Sequence, residues 1–302
     1  MVSPRATQRN QPAEAWRIMR WRSHHWAHRE QLAEGVALTM LRIPAGNFEM
    51  GAPQTEAGST EQERPVHRVT LGEFLLGQTP ITQAQWRAVA EWERLDHEPV
   101  DLWPESFLHN PAITSDRKRF RGDLRPVVNV SWFDAQEFCQ RLALRTGKNY
   151  TLPSEAQWEY ACRAGTITPF HFGDTISTEL ANYNGEVYGN GNKGDNRQQT
   201  TDVASFPANP WGLHDMHGNV REWCADCWHD NFEGVPKDVN TGVGGDDEQI
   251  INKDRVNMNM RLLRGGSWHY HPANCRSAYR SFTPSNTRNA NIGFRVCCLP
   301  QD

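Results

Sequence analysis

Hydrophobic and polar residues alternate in the first part of the chain, starting at Val36. The stretch VALTMLRIPAGNFEMG alternates between the two classes and is interrupted at Pro44 and Gly46, and RPVHRVTLGEFLLGQTPIT continues in the same style. A period of two that is broken by proline and glycine is typical of strands joined by turns. We therefore expect several short β-strands between residues 36 and 82.

Three later segments carry the start and stop signals of helices. TQAQWRAVAEWE begins with Thr82 as its N-cap, and SWFDAQEFCQRLALRTG begins near Ser131 and ends at Gly147. SEAQWEYACRAG begins with Ser154 and has Gln157 three residues later, which is the spacing of a capping box. Beyond residue 165 the periodicity fades. Residues 166–260 are mostly Gly, Asn, Asp and Pro with isolated aromatics, so they predict a long loop-rich region.

The first 34 residues differ from the rest by their content of Arg, His and Trp. We expect an N-terminal extension over residues 1–34, with a helix from Ala13 to Leu32, followed by the main domain over residues 35–302. A helix of this kind docks a partner or supports oligomerisation. A nucleic-acid-binding arm is the alternative, because arginines interleave with aromatics there, but such short stretches are usually solvated faces.

Composition and charge restrict the class of protein only coarsely. The 302 residues are 37% hydrophobic, which is enough for a sizeable core, and the net charge of −4 is too small to favour a nucleic-acid partner. No run approaches the roughly 18 apolar residues of a membrane helix, and no signal-peptide core is seen. The seven cysteines are an odd number, typical of reduced thiols. We expect a cytoplasmic protein without a membrane span.

The stretch LHDMHGNVREW combines carboxylates with a glycine turn and is a candidate cation site. Asp215 and Glu222 lie seven residues apart, with the carbonyls of Gly218 and Val220 between them. Calcium prefers such a mixture of carboxylate and carbonyl oxygens, although a surface turn with two unrelated acids explains the residues equally well. A second, weaker candidate set consists of Asn182, Tyr183 through its carbonyl, and Asp195.

Seven blocks stand out along residues 43–296: IPAGNFEMG, RPVHRVTLGEFLLGQTPITQAQW, RPVVNVSWFDAQEFC, YTLPSEAQWEYACRAG, NPWGLHDMHGNVREW, LRGGSW and NIGFRV. In this order they resemble the blocks of the formylglycine-generating enzyme, or sulfatase-modifying factor, family. The resemblance implies one large α+β domain with little regular secondary structure, a variant of the C-type lectin fold that is stabilised by calcium. It also implies that the two candidate cation sets fall on the family's two calcium sites.

The same resemblance argues against catalysis. Enzymes of the family oxidise a substrate cysteine to formylglycine with oxygen, and two cysteines shortly after the GGS block bind copper. Cys275 matches the second cysteine, but Tyr270 occupies the first position. Since Cu(I) requires both thiolates there, we expect neither copper nor a catalytic residue. A copper- or iron-dependent oxidase acting on cysteine or another thiol remains an alternative function, with Cys275 as its candidate residue.

Residues 269–291 contain no Lys, Glu, Gln, Met or Trp. These five types form about a fifth of the chain, so an average composition would place about four of them in the segment. Codons of the form NNY cannot encode them, so they cannot arise from an Asn codon whose adenines are replaced. The segment therefore resembles the variable region of proteins diversified by a retroelement, in the branch built on the formylglycine-generating-enzyme-like domain.

We therefore expect a non-catalytic display protein whose hypervariable C-terminal segment binds a protein or another macromolecule. An undiversified structural or regulatory family member is the remaining alternative. The candidate contact residues are His269, Tyr270, His271, Asn274, Tyr279, Ser281, Phe282, Thr283, Ser285, Thr287, Asn289 and Ala290. The expected buried residues are Trp268, Cys275, Ile292 and Phe294, and the arginines expected to bind carbonyls or acids are Arg276, Arg280, Arg288 and Arg295.

Overall fold

The computed structural model describes residues 24–92, 120–233 and 260–300. Its helices are α1 (Gln83–Ala90), α2 (Trp132–Thr146) and α3 (Glu155–Arg163). Its strands are β1 (Ala27–Ala33), β2 (Val36–Ile43), β3 (Gly46–Met50), β4 (His67–Leu71), β5 (Phe74–Gly77), β6 (Asn149–Thr151), β7 (Arg221–Cys227), β8 (Met260–Arg264), β9 (Ser281–Pro284), β10 (Ile292–Gly293) and β11 (Cys297–Leu299). Long loops join α3 to β7, so the expected α+β chain with little regular secondary structure is confirmed.

Each of these helices begins with a capping box. The side chains of Thr82, Ser131 and Ser154 accept a hydrogen bond from the backbone N–H three residues later, and the side chain there accepts one from the N–H of the cap. Helix α2 ends at Gly147, whose φ of 69° places it in the left-handed region that glycine tolerates best. The predicted helix starts are confirmed, because residues close in sequence determine them.

Two sheets and a strand pair form the β structure. The first sheet has the order β1-β2-β5-β11-β6 with antiparallel neighbours, and the second has the order β10-β7-β8-β9, in which β10 runs parallel to β7. Strands β3 and β4 pair with each other. Because β11 lies between β5 and β6, a strand from the far end of the chain completes the larger sheet.

Strand β1 corrects the predicted N-terminal helix. Residues 27–33 pair with β2, from Ala27 opposite Leu41 to Ala33 opposite Val36, and their exposure alternates along the strand until Leu32 enters the core. Pairing with β2 satisfies the backbone and outweighs the helical propensity of the sequence. Part of the segment assigned to the extension therefore belongs to the first sheet, whereas residues 1–23 lie outside the described residues.

Aromatic rings fill the space between the helices and the sheets. The Trp86 ring stacks on Phe138 with centroids 5.7 Å apart, and Phe294 meets both edge-on. Trp223 is fully buried and donates its indole N–H to the Val130 carbonyl at 3.0 Å. The Phe294 contacts join α1 and α2 to the chain that follows the candidate contact residues, so the core holds that part of the chain directly.

Buried ion pairs connect the C-terminal loops to earlier parts of the chain. Both terminal nitrogens of Arg276 bond to Glu63, each at 2.7 Å, and neither side chain is exposed. Arg280 forms a two-pronged pair with Glu155 at 2.6 and 2.9 Å. Such bidentate bonds fix orientation as well as distance.

Two further pairs lie deeper. Arg264 bonds to Glu159 at 2.5 Å and also donates to the backbone carbonyls of residues 277–279. Arg295 meets both oxygens of Glu222 at 2.6 and 2.8 Å. Since these side chains are inaccessible to solvent, removing one partner leaves an uncompensated charge inside the protein.

Glu63→Gln should lower the free energy of unfolding by about 3 kcal/mol, because Arg276 then loses the fully buried carboxylate that meets both of its terminal nitrogens and keeps only a single bond to Glu56. Glu61→Gln is the matched control, since Glu61 lies two residues earlier with its side chain 87% exposed, and it should change the free energy by no more than about 0.5 kcal/mol. Urea unfolding followed by circular dichroism measures both. Equal losses in the two variants would contradict a stabilising role for the buried pair.

Candidate functional site

Four arginines of the segment 264–296 fix its path, as the sequence predicts. Arg276, Arg280 and Arg295 form the buried pairs described above and also donate to backbone carbonyls. Arg288 lies at the surface and bonds to both oxygens of Asp134, each at 2.9 Å. The backbone of the segment is therefore positioned by residues outside it and by its own buried residues and arginines, rather than by its exposed side chains.

The expected buried residues occupy the intervening turns. Cys275, Ile292 and Phe294 are 0% exposed, and Trp268 is half-buried against Phe120 with ring centroids 5.5 Å apart. A Cβ on Gly266 would lie only 2.5 Å from the Cys275 sulfur, and the φ of this glycine is +69°. Glycine is therefore required where the GGS turn crosses the segment.

Most candidate contact residues have side chains at the surface. The exposed ones are His269, His271, Phe282 and Asn289, and the partly exposed ones are Tyr270, Asn274, Tyr279, Ser281, Thr283, Thr287 and Ala290. Ser285 corrects the prediction, because it is only 6% exposed and its carbonyl accepts a hydrogen bond from the Trp132 N–H at 2.9 Å. The contact with the first turn of α2 buries it.

One group of these residues surrounds Arg221, the first residue of β7. The Arg221 guanidinium carbon lies 4.9 Å from the centre of the Tyr270 ring. Tyr279 hydrogen-bonds to Asn274 and lies close enough to Tyr270 and Arg221 for electrostatic interaction. Burial raises the pKa of Tyr279, so its phenol stays neutral at physiological pH. Polar edges and flat aromatic faces thus converge around one cation.

A second group of candidate contact residues lies on strand β9 and in the turn after it. The Phe282 ring is 41% exposed and lies over Trp228 with centroids 4.3 Å apart. Thr283 and Thr287 share a hydrogen bond of 3.1 Å between their hydroxyls. Because β9 pairs with β8 through its backbone, the outward side chains contribute little to holding the strand in place.

Cys275 has the environment of a structural thiol. It is fully buried, and burial raises the pKa of its thiol to about 12. The neighbouring histidines His269 and His271 are exposed and belong to the candidate contact residues. The buried histidine nearby, His217, donates from Nδ1 to the Cys275 carbonyl at 2.7 Å, not to the Cys275 sulfur. These positions offer no second thiolate beside Cys275 for a soft metal.

The first candidate calcium set is built around a tight turn. Gly218 has a φ of +103°, and a Cβ there would lie 2.3 Å from the Asn182 carbonyl oxygen. Asp215 is buried, and its Oδ1 atom has no hydrogen-bond partner. Glu222 accepts from Arg295 and from the Trp158 indole at 2.8 Å, but a carboxylate oxygen has room for more than one contact. Together with the Val220 carbonyl, these donors suit a hard cation.

The second set is less compact. Asn182 is buried, its Oδ1 atom lacks a partner, and its amide donates to the Asn219 side chain at 3.3 Å. Tyr183 is buried beside it, whereas Asp195 is exposed and its N–H donates to the Thr178 hydroxyl at 3.1 Å. The structure thus brings Asn182 against the turn of the first set, with oxygens on both sides that a cation would satisfy.

Sequence reasoning missed two buried arginines of this region. Arg264, in the LRGGSW block, anchors the carbonyls of residues 277–279, and Arg221 lies beneath the candidate contact residues. Their position inside a family block is the only signal for either arginine, and it says nothing about burial or partners.

The model of the sulfatase-modifying factor enzyme 1-like domain matches residues 28–298. The chain belongs to this family. Its members include the formylglycine-generating enzyme of Mus musculus, to which the chain is 28% identical over 302 aligned positions that cover 86% of this chain and 75% of the mouse protein. The chain is 26% identical over 272 positions to the serine/threonine-protein kinase pkn1 of Chlamydia pneumoniae, which cover 88% of this chain but only 39% of that protein.

Two solved structures have the same fold as this chain. PvdO from Pseudomonas aeruginosa superposes with a TM-score of 0.68 at 30% identity, covering 90% of this chain and 97% of PvdO. Treponema denticola variable protein 1 superposes with a TM-score of 0.65 at 23% identity, covering 91% of this chain and 99% of that chain. The predicted fold of the formylglycine-generating-enzyme type is confirmed.

Cys275 should resist iodoacetamide in the native protein at pH 8, because it is buried and only about one thiol in ten thousand with a pKa of about 12 is ionised at that pH. Peptide mass spectrometry after labelling measures the modified fraction of each cysteine. Labelling in urea is the control and should modify all seven cysteines. Rapid native labelling of Cys275 would indicate a reactive, accessible thiol.

Proposed function

We propose that this protein is a non-catalytic display protein whose segment 269–291 is a variable ligand-binding surface. The observation that carries the proposal is that different residues of the segment fix its backbone and face solvent. Cys275, Ile292 and Phe294 are fully buried and the arginines are anchored by acids or carbonyls, whereas nearly all candidate contact residues reach solvent. A scaffold of this kind keeps its backbone when the outward side chains change.

The types of exposed residue support a binding role. Tyr270, Tyr279 and Phe282 offer rigid, flat contact area, and His269, His271 and Asn289 offer polar edges. Tyrosine with small polar residues is the composition of antibody binding loops, which also display changing side chains on a fixed framework. The fold shared with Treponema denticola variable protein 1 is consistent with this role. We propose a protein as the ligand, and its identity differs among variants.

The oxidase alternative is supported by the family and opposed by the residues. Formylglycine-generating enzymes are relatives at about 28% identity. The first copper position of this chain is Tyr270, however, and the matching Cys275 is fully buried with a thiol whose pKa is raised to about 12. A single protonated thiol does not provide the pair of thiolates that Cu(I) prefers.

We further propose that calcium stabilises the loop-rich region. At the first site the unpartnered buried oxygen of Asp215 would bind the ion, together with Glu222 and the carbonyls of Gly218 and Val220. At the second site the unpartnered oxygen of Asn182 and the Tyr183 carbonyl would bind another ion. Asp195 would contribute from the surface. The role of the N-terminal extension in docking or oligomerisation stays a prediction. No helix of the described ranges is long and apolar enough to cross a membrane.

Sequencing the 3′ end of this gene across a growing population of its host should reveal substitutions in codons 269–291, confined to their first two bases. An adenine-rich copy of the segment and a reverse transcriptase gene should lie nearby. Codons 132–146, which encode α2, are the control and should stay invariant. Position 285 should accept only small residues, because it is buried. An invariant segment with purine-ending codons would contradict diversification.

Calcium removal by EGTA should lower the unfolding temperature, and calcium should restore it. At one hundred times its dissociation constant the ion adds about 2.7 kcal/mol to the free energy of unfolding. Asp215→Asn should abolish the response, whereas Asp174→Asn, at an exposed position in the same loop-rich region, should keep it. Differential scanning fluorimetry with magnesium as the second ion checks selectivity. An unchanged unfolding temperature in EGTA would refute the calcium proposal.

A further inference from the structure

Arg221 stands apart from the other buried arginines of the described residues. Six of them form ion pairs with a carboxylate: Arg141, Arg163, Arg264, Arg276, Arg280 and Arg295. Arg221 is just as inaccessible, at 8% exposure, yet within the described residues no acid pairs with it. Its Nη2 atom donates to the Asn291 side chain at 3.3 Å, and its buried Nε atom has no partner.

An isolated guanidinium in such a position is costly for the free protein. Burial lowers the pKa of Arg221, but an arginine remains charged even so. The Tyr270 ring, 4.9 Å from the guanidinium carbon, makes a cation–π contact that offsets part of the free energy lost when the charge leaves water. A charge that destabilises the folded state without a counter-ion is commonly kept for binding.

The location of Arg221 relates it to the binding surface. It is the first residue of β7, so it lies outside the segment 269–291 and is the same in every variant. Tyr270 covers one side of the guanidinium, and Tyr279 and Asn274 lie beside it. A ligand that rests on these side chains meets Arg221 at the floor of the surface.

We propose that Arg221 forms a fixed subsite for a side-chain carboxylate of a protein ligand, a proposal that rests on the ligand-binding function proposed above. A planar guanidinium binds a carboxylate through two parallel hydrogen bonds, and partial burial strengthens them. The variable aromatics would then choose among acidic protein surfaces, while Arg221 supplies the same anchoring contact in each complex.

The charges around Arg221 favour a single carboxylate over a polyanion. The neighbouring cations of the segment, Arg276, Arg280 and Arg288, are already paired with acids of this chain. Nucleic acids require several unpaired cations along a groove, whereas here one unpaired cation lies among aromatic rings. A protein surface that presents one Asp or Glu amid apolar groups matches that arrangement.

A library of random peptides displayed on phage, selected against the full chain, tests the proposal. The selected peptides should be enriched in Asp or Glu, and as synthetic amidated peptides they should bind Arg221→Gln at least about tenfold more weakly. Lys193→Gln removes a surface cation of equal charge from an exposed loop and should not alter binding. Replacing the peptide acid by its amide should weaken binding to the wild type but not to Arg221→Gln.

Two outcomes distinguish failure of the carboxylate subsite at Arg221 from failure of the ligand-binding function proposed for the segment 269–291. Peptides that bind through Tyr270 and Phe282 but show no acid preference and no loss with Arg221→Gln would overturn the carboxylate subsite and leave the binding function intact. If no peptide is selected, an NMR titration of the full chain with acetate tests the subsite. The Arg221 Nε–H resonance should shift saturably with acetate and should not shift with chloride at equal ionic strength. A response identical for both salts would refute the subsite.

A stability measurement excludes a purely structural role for Arg221. Arg221→Met should keep or raise the unfolding temperature, because it removes an uncompensated buried charge while preserving apolar bulk. Arg276→Met, which strands Glu63, should lower it. If Arg221→Met unfolds as readily as Arg276→Met, Arg221 supports the fold and the proposed subsite is wrong.

Discussion

Buried pairing between arginines and carboxylates is the interaction on which the C-terminal half of this protein depends. The region between α3 and β7 has few hydrogen bonds between paired strands, and the segment that follows β8 has only slightly more. Arg276, Arg280 and Arg295 replace those hydrogen bonds with bidentate bonds to acids located far away in the sequence, and Arg264 does so with a single bond to Glu159. Each bond is directional, so a loop gains a defined position without contributing its own apolar surface.

This arrangement explains how one segment can be both rigid and permissive. In a conventional core the side chains that define the backbone are also the ones that cannot change. Here the two tasks are assigned to different residues, since Cys275 and Phe294 are enclosed while His269 and Phe282 face solvent. Ser285 is an exception: it packs against the first turn of α2, so a larger side chain would not fit there.

Local signals in the sequence were sufficient for the helices. Thr82, Ser131 and Ser154 announce their helix starts because a capping box is complete within four residues. The order of the family blocks was sufficient for the fold, and the arginines of the segment were recognisable as anchors. Their partners were not, because Arg276 and Glu63 are joined only by the tertiary structure. For the same reason the sequence did not predict the strand at residues 27–33, which forms because β2 pairs with it. The sequence also did not predict that Arg221 lacks an acidic partner among the described residues, because that depends on which residues the fold brings near it.

If the segment is diversified as proposed, the place of β11 in the larger sheet would determine which new variants fold. Cys297 and Cys298 pair on one side with β5 and on the other with β6, so the sheet closes only after the chain has been read through the whole candidate variable segment. A copying error that shifts the reading frame within that segment also replaces β11, and the polypeptide cannot assemble its central sheet. Under that proposal, folding would remove frameshifted copies, and the products that meet a ligand would be those copied in frame.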